Sequence, residues 1–143
     1  MNTNKQILIV EDSDEDYETL LRAFRKAGMA NPIFRCGDGD EALDFLHRRG
    51  KFANEKQLPG MVLLDLNLPG TDGYEVLADV KQDEKLKAIP LIVLTSSSDP
   101  RDIERCYASG ANTYIQKPVS FEGFIKAVQR LNEYWFEIAI LPK

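Results

Sequence analysis

The length, composition and charge of the chain exclude several classes of protein. Its 143 residues, 43% hydrophobic and 29% charged, fit one compact domain. No apolar run approaches the roughly 20 residues that span a bilayer and no export signal is visible, so we expect a cytoplasmic protein without membrane contact. The formal net charge of −5 disfavours direct binding to nucleic acid. Cys36 and Cys106 form no CxxC motif and there is one histidine, which excludes a disulfide scaffold, a zinc ribbon and a multi-histidine metal site.

Short apolar runs alternate with amphipathic stretches along the chain. The runs that have the length and composition of buried strands are residues 6–10, 33–36, 61–66, 91–94 and 113–116. After each run, apolar residues recur at helical spacing, and four of these helices are predicted to begin at Asp38, Asp72, Asp99 and Ser120. The polar stretch 48–60 is predicted to be a loop. The alternation predicts an α/β fold in which one parallel sheet is covered by helices on both faces.

Charged and hydroxyl-bearing residues occur where the predicted strands end. The residues in question are Glu11 and Asp12 after the first strand, Asp65 in the third, Thr95 in the fourth and Lys117 after the fifth. Ligands collect at the carboxyl edge of such a sheet, so we expect these side chains to meet there. Neighbouring carboxylates repel one another, and Mg²⁺, which prefers oxygen ligands, would relieve that repulsion. A cation and an ammonium on either side of Asp65 would prepare this carboxylate to carry a phosphoryl group.

These strand-end motifs resemble those of the receiver domains of bacterial two-component response regulators. The matching segments lie within residues 6–132 and are Ile9-Val10-Glu11-Asp12, 63–69, Asp72-Gly73, Leu94-Thr95 and Lys117-Pro118. The resemblance implies a flavodoxin-like (βα)5 three-layer sandwich with parallel strand order 2-1-3-4-5. It also implies that residues 1–143 form a single receiver domain, with a core of 6–132 and a C-terminal aromatic extension of 133–143.

The resemblance implies a role for each matching residue. Asp65 corresponds to the phosphoacceptor, and Thr95 and Lys117 correspond to the hydroxyl and the ammonium that contact the phosphoryl group. The implied Mg²⁺ ligands are Asp65, Glu11, Asp12 and the backbone carbonyl of Asn67.

Further positions in the same resemblance concern switching and turnover. Tyr114 corresponds to an aromatic switch residue whose ring turns inward when Thr95 moves, and Pro118 is expected to follow a cis peptide bond. Asn67 and Ser97 lie two residues after Asp65 and Thr95, and we expect them to set the lifetime of the aspartyl phosphate.

The aromatic end of the chain, together with the long stretch 48–60, resembles single-domain regulators paired with cyanobacterial and other bacterial phytochromes. The implied phosphoryl donor is a phosphohistidine on a light-sensing histidine kinase, and the implied output is contact with a further protein rather than an attached domain. Because the tail holds more apolar side chains than one helix stripe can bury, we expect a homodimer through the last helix and the residues Tyr134, Trp135, Phe136 and Ile138. The alternative is a tail that folds back on its own domain.

Other classes of site fit the sequence less well. The segment 12–16 resembles the start of a calcium loop, but Tyr17 and Ala23 stand where that loop needs Gly and Glu. A dehalogenase-type phosphatase needs a second aspartate where Asn67 stands, and the chain has no glycine-rich nucleotide loop. We therefore predict a phosphoacceptor that hydrolyses its own aspartyl phosphate rather than an enzyme. The remaining alternative is a phosphorylation-independent interaction module with the receiver fold.

Overall fold

The computed structural model describes residues 5–142 and is built on a parallel five-stranded sheet. The strands, in chain order, are β1 (Ile7–Val10), β2 (Ile33–Cys36), β3 (Met61–Leu64), β4 (Leu91–Thr95) and β5 (Thr113–Gln116). Their order in the sheet is β2-β1-β3-β4-β5, and every neighbouring pair is parallel. This arrangement confirms the predicted flavodoxin-like (βα)5 fold with strand order 2-1-3-4-5.

An α-helix follows each strand. The helices are α1 (Asp14–Lys26), α2 (Gly39–Leu46), α3 (Gly73–Gln82), α4 (Pro100–Ala108) and α5 (Phe121–Asn132). Each begins after a side chain that accepts a hydrogen bond from a backbone N–H of the first turn, and these capping residues are Ser13, Asp38, Asp72, Asp99 and Ser120. The four predicted helix starts are thus confirmed. Within residues 5–142, no helix is long and apolar enough to cross a membrane.

The sheet separates two hydrophobic cores, which explains why its central strands are apolar on both faces. Ile7 and Ile9 of β1 point to the face covered by α1 and α5. Leu8 and Val10 point to the opposite face, which α2, α3 and α4 cover. Because successive side chains of a strand alternate between faces, a strand buried on both sides must be apolar throughout.

Hydrogen bonding between the strands fixes which residues stand together at the carboxyl edge of the sheet. Val10 is level with Leu64, and Leu64 is level with Val93, so the residues that follow β1 and β3 leave the sheet side by side. At the next pair of strands, Thr95 is level with Gln116, so Lys117 emerges beside them. The sheet therefore collects the charged residues at one edge.

The connection between α2 and β3 is not entirely a loop. Gly50–Phe52 forms a short 3-10 helix, and the buried Phe52 ring packs edge-on against Phe34 and Phe45 at centroid distances of 5.7 and 5.1 Å. A single aromatic residue in a polar stretch creates no periodic pattern, so the sequence predicted a loop and missed this contact.

The tail folds partly back on its own domain. A π-helical segment, Glu133–Ile138, continues α5, and its wider turn directs Phe136 into the core between the sheet, α1 and α5, where it is fully buried. Trp135 also packs against that core. Phe136 cannot contact another molecule from this position, so its prediction as an interface residue is wrong. Tyr134 and Ile138 remain exposed, at 54% and 69%.

Candidate functional site at the carboxyl edge of the sheet

Three carboxylates converge where β1 and β3 end. Oxygen atoms of Glu11, Asp12 and Asp65 all lie within 4.8 Å of one another. Glu11 and Asp65 are buried, whereas Asp12 is exposed. The backbone holds the two buried residues in place, because Asp65 N donates to Val10 O at 3.1 Å and Glu11 N donates to Cys36 O at 3.1 Å. The structure therefore brings together the three acidic residues predicted from the sequence.

The Lys117 ammonium lies among the carboxylates and contacts one residue that the sequence analysis missed. Nζ donates to Glu11 Oε1 at 2.6 Å, to Asp16 Oδ2 at 2.7 Å and to Asp65 Oδ2 at 2.9 Å. Asp16 belongs to the first turn of α1, where acidic residues are common because they interact favourably with the helix dipole. That general explanation hides the specific contact with Lys117, and no pattern in the sequence indicates it.

Both oxygens of Asp65 are held. Oδ1 accepts a hydrogen bond from Asn67 N at 3.2 Å, and Oδ2 accepts one from Lys117. The side chain is thereby fixed in one orientation at the end of β3. Asn67, predicted to offer its carbonyl to a metal, also contributes its N–H to the orientation of Asp65.

Burial and hydrogen bonding have opposite effects on the pKa of Glu11 and on the pKa of Lys117. Desolvation of its buried carboxyl raises the pKa of Glu11 to about 7; the neighbouring Asp65 adds to this rise, and the hydrogen bond from Lys117 opposes it. Burial alone would lower the pKa of Lys117, but its hydrogen bonds to Asp16, Glu11 and Asp65 outweigh that effect and raise it. The ammonium is therefore charged at neutral pH, and the carboxylates around it outnumber it.

Thr95 carries a buried polar atom without a partner. The residue is fully buried at the end of β4, and its Oγ1 has no hydrogen-bond partner among residues 5–142. Burying an unpaired hydroxyl is unfavourable, so native structures usually pair such atoms. This hydroxyl is available to a group that binds at the edge of the sheet.

A hydrogen-bond network links the loop after β4 to three other elements. Ser97 Oγ donates to Asp102 Oδ2 of α4 at 2.6 Å, and the Tyr74 hydroxyl of α3 donates to the other oxygen of Asp102. The Tyr114 hydroxyl of β5 donates to Ser97 O at 2.9 Å. Tyr114, the predicted switch residue, is thus tied to the loop that follows Thr95.

The predicted cis peptide bond before Pro118 is absent. No cis bond occurs in the described part of the chain, so the Lys117–Pro118 bond is trans. An X–Pro bond favours trans by about 0.5–1 kcal/mol unless the surrounding turn requires cis. Here Lys117 N reaches Thr95 O at 2.6 Å, and the Lys117 ammonium reaches all three of its acceptors, with the trans bond.

The family is established by comparison with known proteins. A family model described as the response regulator receiver domain matches residues 7–129. The chain belongs to this family. Receiver domains that resemble this one over nearly their whole length include phytochrome response regulators, which confirms the resemblance inferred from the sequence.

Three relatives of this receiver domain show the range of the similarity. The probable methanogenesis regulatory protein FilR2 of Methanothrix harundinacea is 44% identical over 90% of this chain and 82% of its own length. Rcp1, a response regulator of Synechocystis, is 37% identical over 99% of this chain and 95% of its own length. Its Mn²⁺-bound crystal structure matches with a TM-score of 0.90 over 97% of this chain and 99% of the Rcp1 chain. The phosphorylated cyanobacterial phytochrome response regulator RcpA is 36% identical, with a TM-score of 0.92 over 98% and 99%.

The donor set of this receiver domain fits a hard divalent cation. The three carboxylates that meet at the sheet edge offer oxygen ligands only, and they carry more negative charge than Lys117 neutralises. A cation held between Glu11, Asp12 and Asp65 would remove the repulsion that the buried pair now experiences.

Proposed function

We propose that Asp65 accepts a phosphoryl group from a sensor histidine kinase in the cytoplasm. One observation carries the proposal: the Asp65 carboxylate, oriented at both oxygens, belongs to a cluster of carboxylates that can hold a metal ion and accepts a hydrogen bond from a charged lysine. Phosphoryl transfer needs positioning and neutralisation of charge more than covalent chemistry, and this arrangement supplies both.

In the proposed reaction an Asp65 oxygen attacks the phosphorus of the kinase phosphohistidine. The O–P bond forms, the P–N bond breaks, and the electron pair stays with the imidazole, which takes up a proton from solvent. Lys117 balances charge on the phosphoryl oxygens. Mg²⁺, bound by Glu11, Asp12, Asp65 and the Asn67 carbonyl, would supply a second positive charge at those oxygens.

Residues around Asp65 would also account for the conformational switch and for the later loss of the phosphoryl group. The Thr95 hydroxyl, which now lacks a partner, would gain one in a phosphoryl oxygen. Movement of Thr95 would then disturb the loop that Tyr114 contacts through Ser97 O, and so change the surface near α4. Water finally hydrolyses the aspartyl phosphate, at a rate set by Asn67 and Ser97.

A phytochrome-type kinase is the proposed phosphoryl donor. The support comes from proteins named as phytochrome or bacteriophytochrome response regulators, whose structures match almost the entire chain, including the aromatic tail. The output of the phosphorylated domain would be contact with a further protein.

Phosphorylation of wild-type protein and of the Asp65→Asn variant tests the proposal. An autophosphorylated bacteriophytochrome kinase should transfer label to the wild type in Mg²⁺ and not to Asp65→Asn. Glu18→Gln is the control, because it removes one negative charge from an exposed position in α1. Label on Asp65→Asn would place the acceptor elsewhere. An unlabelled wild type, also with acetyl phosphate as donor, would favour the phosphorylation-independent module.

We also propose that the exposed side of the tail forms a homodimer. Tyr134, Ile138 and Ile140 leave apolar side chains in solvent, at 54%, 69% and 95% exposure, and a second copy of the chain would cover them together with α5. Ile138→Asp should then convert a dimer into a monomer in analytical ultracentrifugation. Val119→Asp, at a more exposed apolar position before α5, is the control. A monomeric wild type at tens of micromolar, with and without phosphorylation, would contradict the dimer.

A further inference from the structure

The three acceptors of the Lys117 ammonium are not equivalent. Glu11 and Asp65 also belong to the carboxylate group that can hold a cation, whereas Asp16 does not. An ammonium has three N–H donors, and in this structure one acceptor serves each of them. A cation at the sheet edge and a phosphoryl group on Asp65 would compete for oxygens of two of these acceptors. The third would keep its contact with Lys117.

We propose that Asp16 is a positioning residue for phosphoryl transfer: it holds the Lys117 ammonium in place when Glu11 and Asp65 engage the cation and the phosphoryl group. This inference rests on the proposed function of Asp65. A lysine side chain is flexible along its four-carbon stem, so an ammonium that loses two carboxylate acceptors needs another acceptor to stay at Asp65 until the phosphoryl oxygens reach it. Asp16 supplies it from a rigid element, the first turn of α1.

The surroundings of Asp16 suit this role. Its backbone N–H donates to the capping hydroxyl of Ser13 at 3.2 Å, which fixes the first turn of α1. Its side chain is 42% exposed, whereas those of Glu11 and Asp65 are 3% and 8% exposed. A carboxylate that keeps contact with water loses little of its hydration, so it does not need a bound cation to offset its burial. Asp16 can therefore keep its hydrogen bond with Lys117 while Glu11 and Asp65 bind the cation.

The proposal predicts that Asp16→Ala slows phosphorylation by acetyl phosphate about tenfold at saturating Mg²⁺, the effect of losing roughly one charge-assisted hydrogen bond in the transition state. Glu15→Ala is the matched control, because Glu15 is an exposed acidic residue of the same helical turn; its rate should stay within about twofold of wild type. Asp16→Asn, which keeps an acceptor oxygen, should show an intermediate rate. Circular dichroism confirms that each variant is folded.

Two measurements separate positioning from a general effect of charge. If Asp16 acts through Lys117, Asp16→Ala should change the rate less than about twofold in a Lys117→Gln background, whereas an equal decrease there would overturn the proposal. The ammonium ¹H–¹⁵N signal of Lys117 should be protected from solvent exchange in Mg²⁺-bound wild type and Glu15→Ala, and lost in Asp16→Ala.

The outcomes also separate this inference from the proposed function. An unchanged or increased rate in Asp16→Ala, or an unchanged Lys117 signal, contradicts the role of Asp16 even if Asp65→Asn abolishes phosphorylation. A wild type that acquires no phosphoryl group contradicts the proposed function and, with it, this role.

Discussion

The carboxyl edge of the sheet and the C-terminal tail both carry residues that a sequence marks as unusual, but the structure treats them differently. At the edge of the sheet, Glu11 and Asp65 meet because hydrogen bonding between strands fixes their position. In the tail, whether a side chain faces the core or solvent depends on the local turn of the helix. A π-helical turn buries Phe136 and leaves Ile138, two residues later, exposed. Sheet topology therefore defines a site more reliably than the apolar content of a terminal helix defines an interface.

The largest expected effect tests the buried side of the tail. Phe136→Ala should lower the free energy of unfolding by about 3–5 kcal/mol, because it removes a fully buried ring from the core formed with α1 and α5. Urea denaturation followed by circular dichroism measures the change. Ile138→Ala is the matched control on the same segment and, at protein concentrations too low for dimer formation, should change stability by less than about 0.5 kcal/mol. Equal losses of stability in the two variants would show that Phe136 is no more buried than Ile138 in solution.

A second effect, on the order of 3 kcal/mol, tests the electrostatics of the sheet edge. The pKa of Glu11 is raised to about 7 in the folded protein, above its ordinary value of 4.5. Between these two values the folded state binds more protons than the unfolded state, so the contribution of Glu11 to stability falls as the pH rises from about 4.5 to 7. Glu11→Gln removes this loss, and in metal-free buffer the variant should gain stability relative to wild type between pH 5 and pH 8.

The measurement is urea denaturation at a series of pH values in the presence of a chelator. Glu104→Gln, which removes an exposed carboxylate from α4, should give a curve parallel to that of wild type. Mg²⁺ should bind wild type more tightly at pH 8 than at pH 6, because the cation competes with the proton on Glu11. Parallel stability curves for Glu11→Gln and wild type would show that Glu11 titrates normally.

The alternation of strands and helices predicted a parallel sheet and the convergence of Glu11, Asp12 and Asp65 at its carboxyl edge, whereas the strand order came from the resemblance to receiver domains. It could not predict the contact between Asp16 and Lys117, which depends on where the first turn of α1 lies above the sheet. An acidic residue at a helix start has an ordinary explanation, and the pattern offers no means of separating the two cases.

Other differences between prediction and structure have similar causes. The trans bond before Pro118 and the burial of Phe136 depend on how a turn packs, which residue types alone do not determine. The small contact of Phe52 with Phe34 and Phe45 depends on tertiary packing of a residue that lies in a polar stretch.

The smallest expected effect tests whether the unpaired Thr95 hydroxyl at the sheet edge lowers the free energy of unfolding. Thr95→Val keeps the shape of the side chain and removes the buried Oγ1 that has no partner. We expect the variant to be more stable by about 1 kcal/mol, because burying an unsatisfied hydroxyl is unfavourable. Urea denaturation gives the value. Thr113→Val, at a half-buried position on β5, controls for the intrinsic preference of valine for strands.

The stability and the signalling of Thr95→Val should change in opposite directions. Because the proposed switch needs a hydroxyl that can bind a phosphoryl oxygen, the more stable variant should still be phosphorylated but lose the change around Tyr114 that tyrosine fluorescence or NMR detects. Side chains that lower the stability of a protein are expected at sites that bind a ligand. A Thr95→Val protein less stable than wild type by about 1 kcal/mol would mean that the hydroxyl is already satisfied in solution, and would remove this argument for its role in the switch.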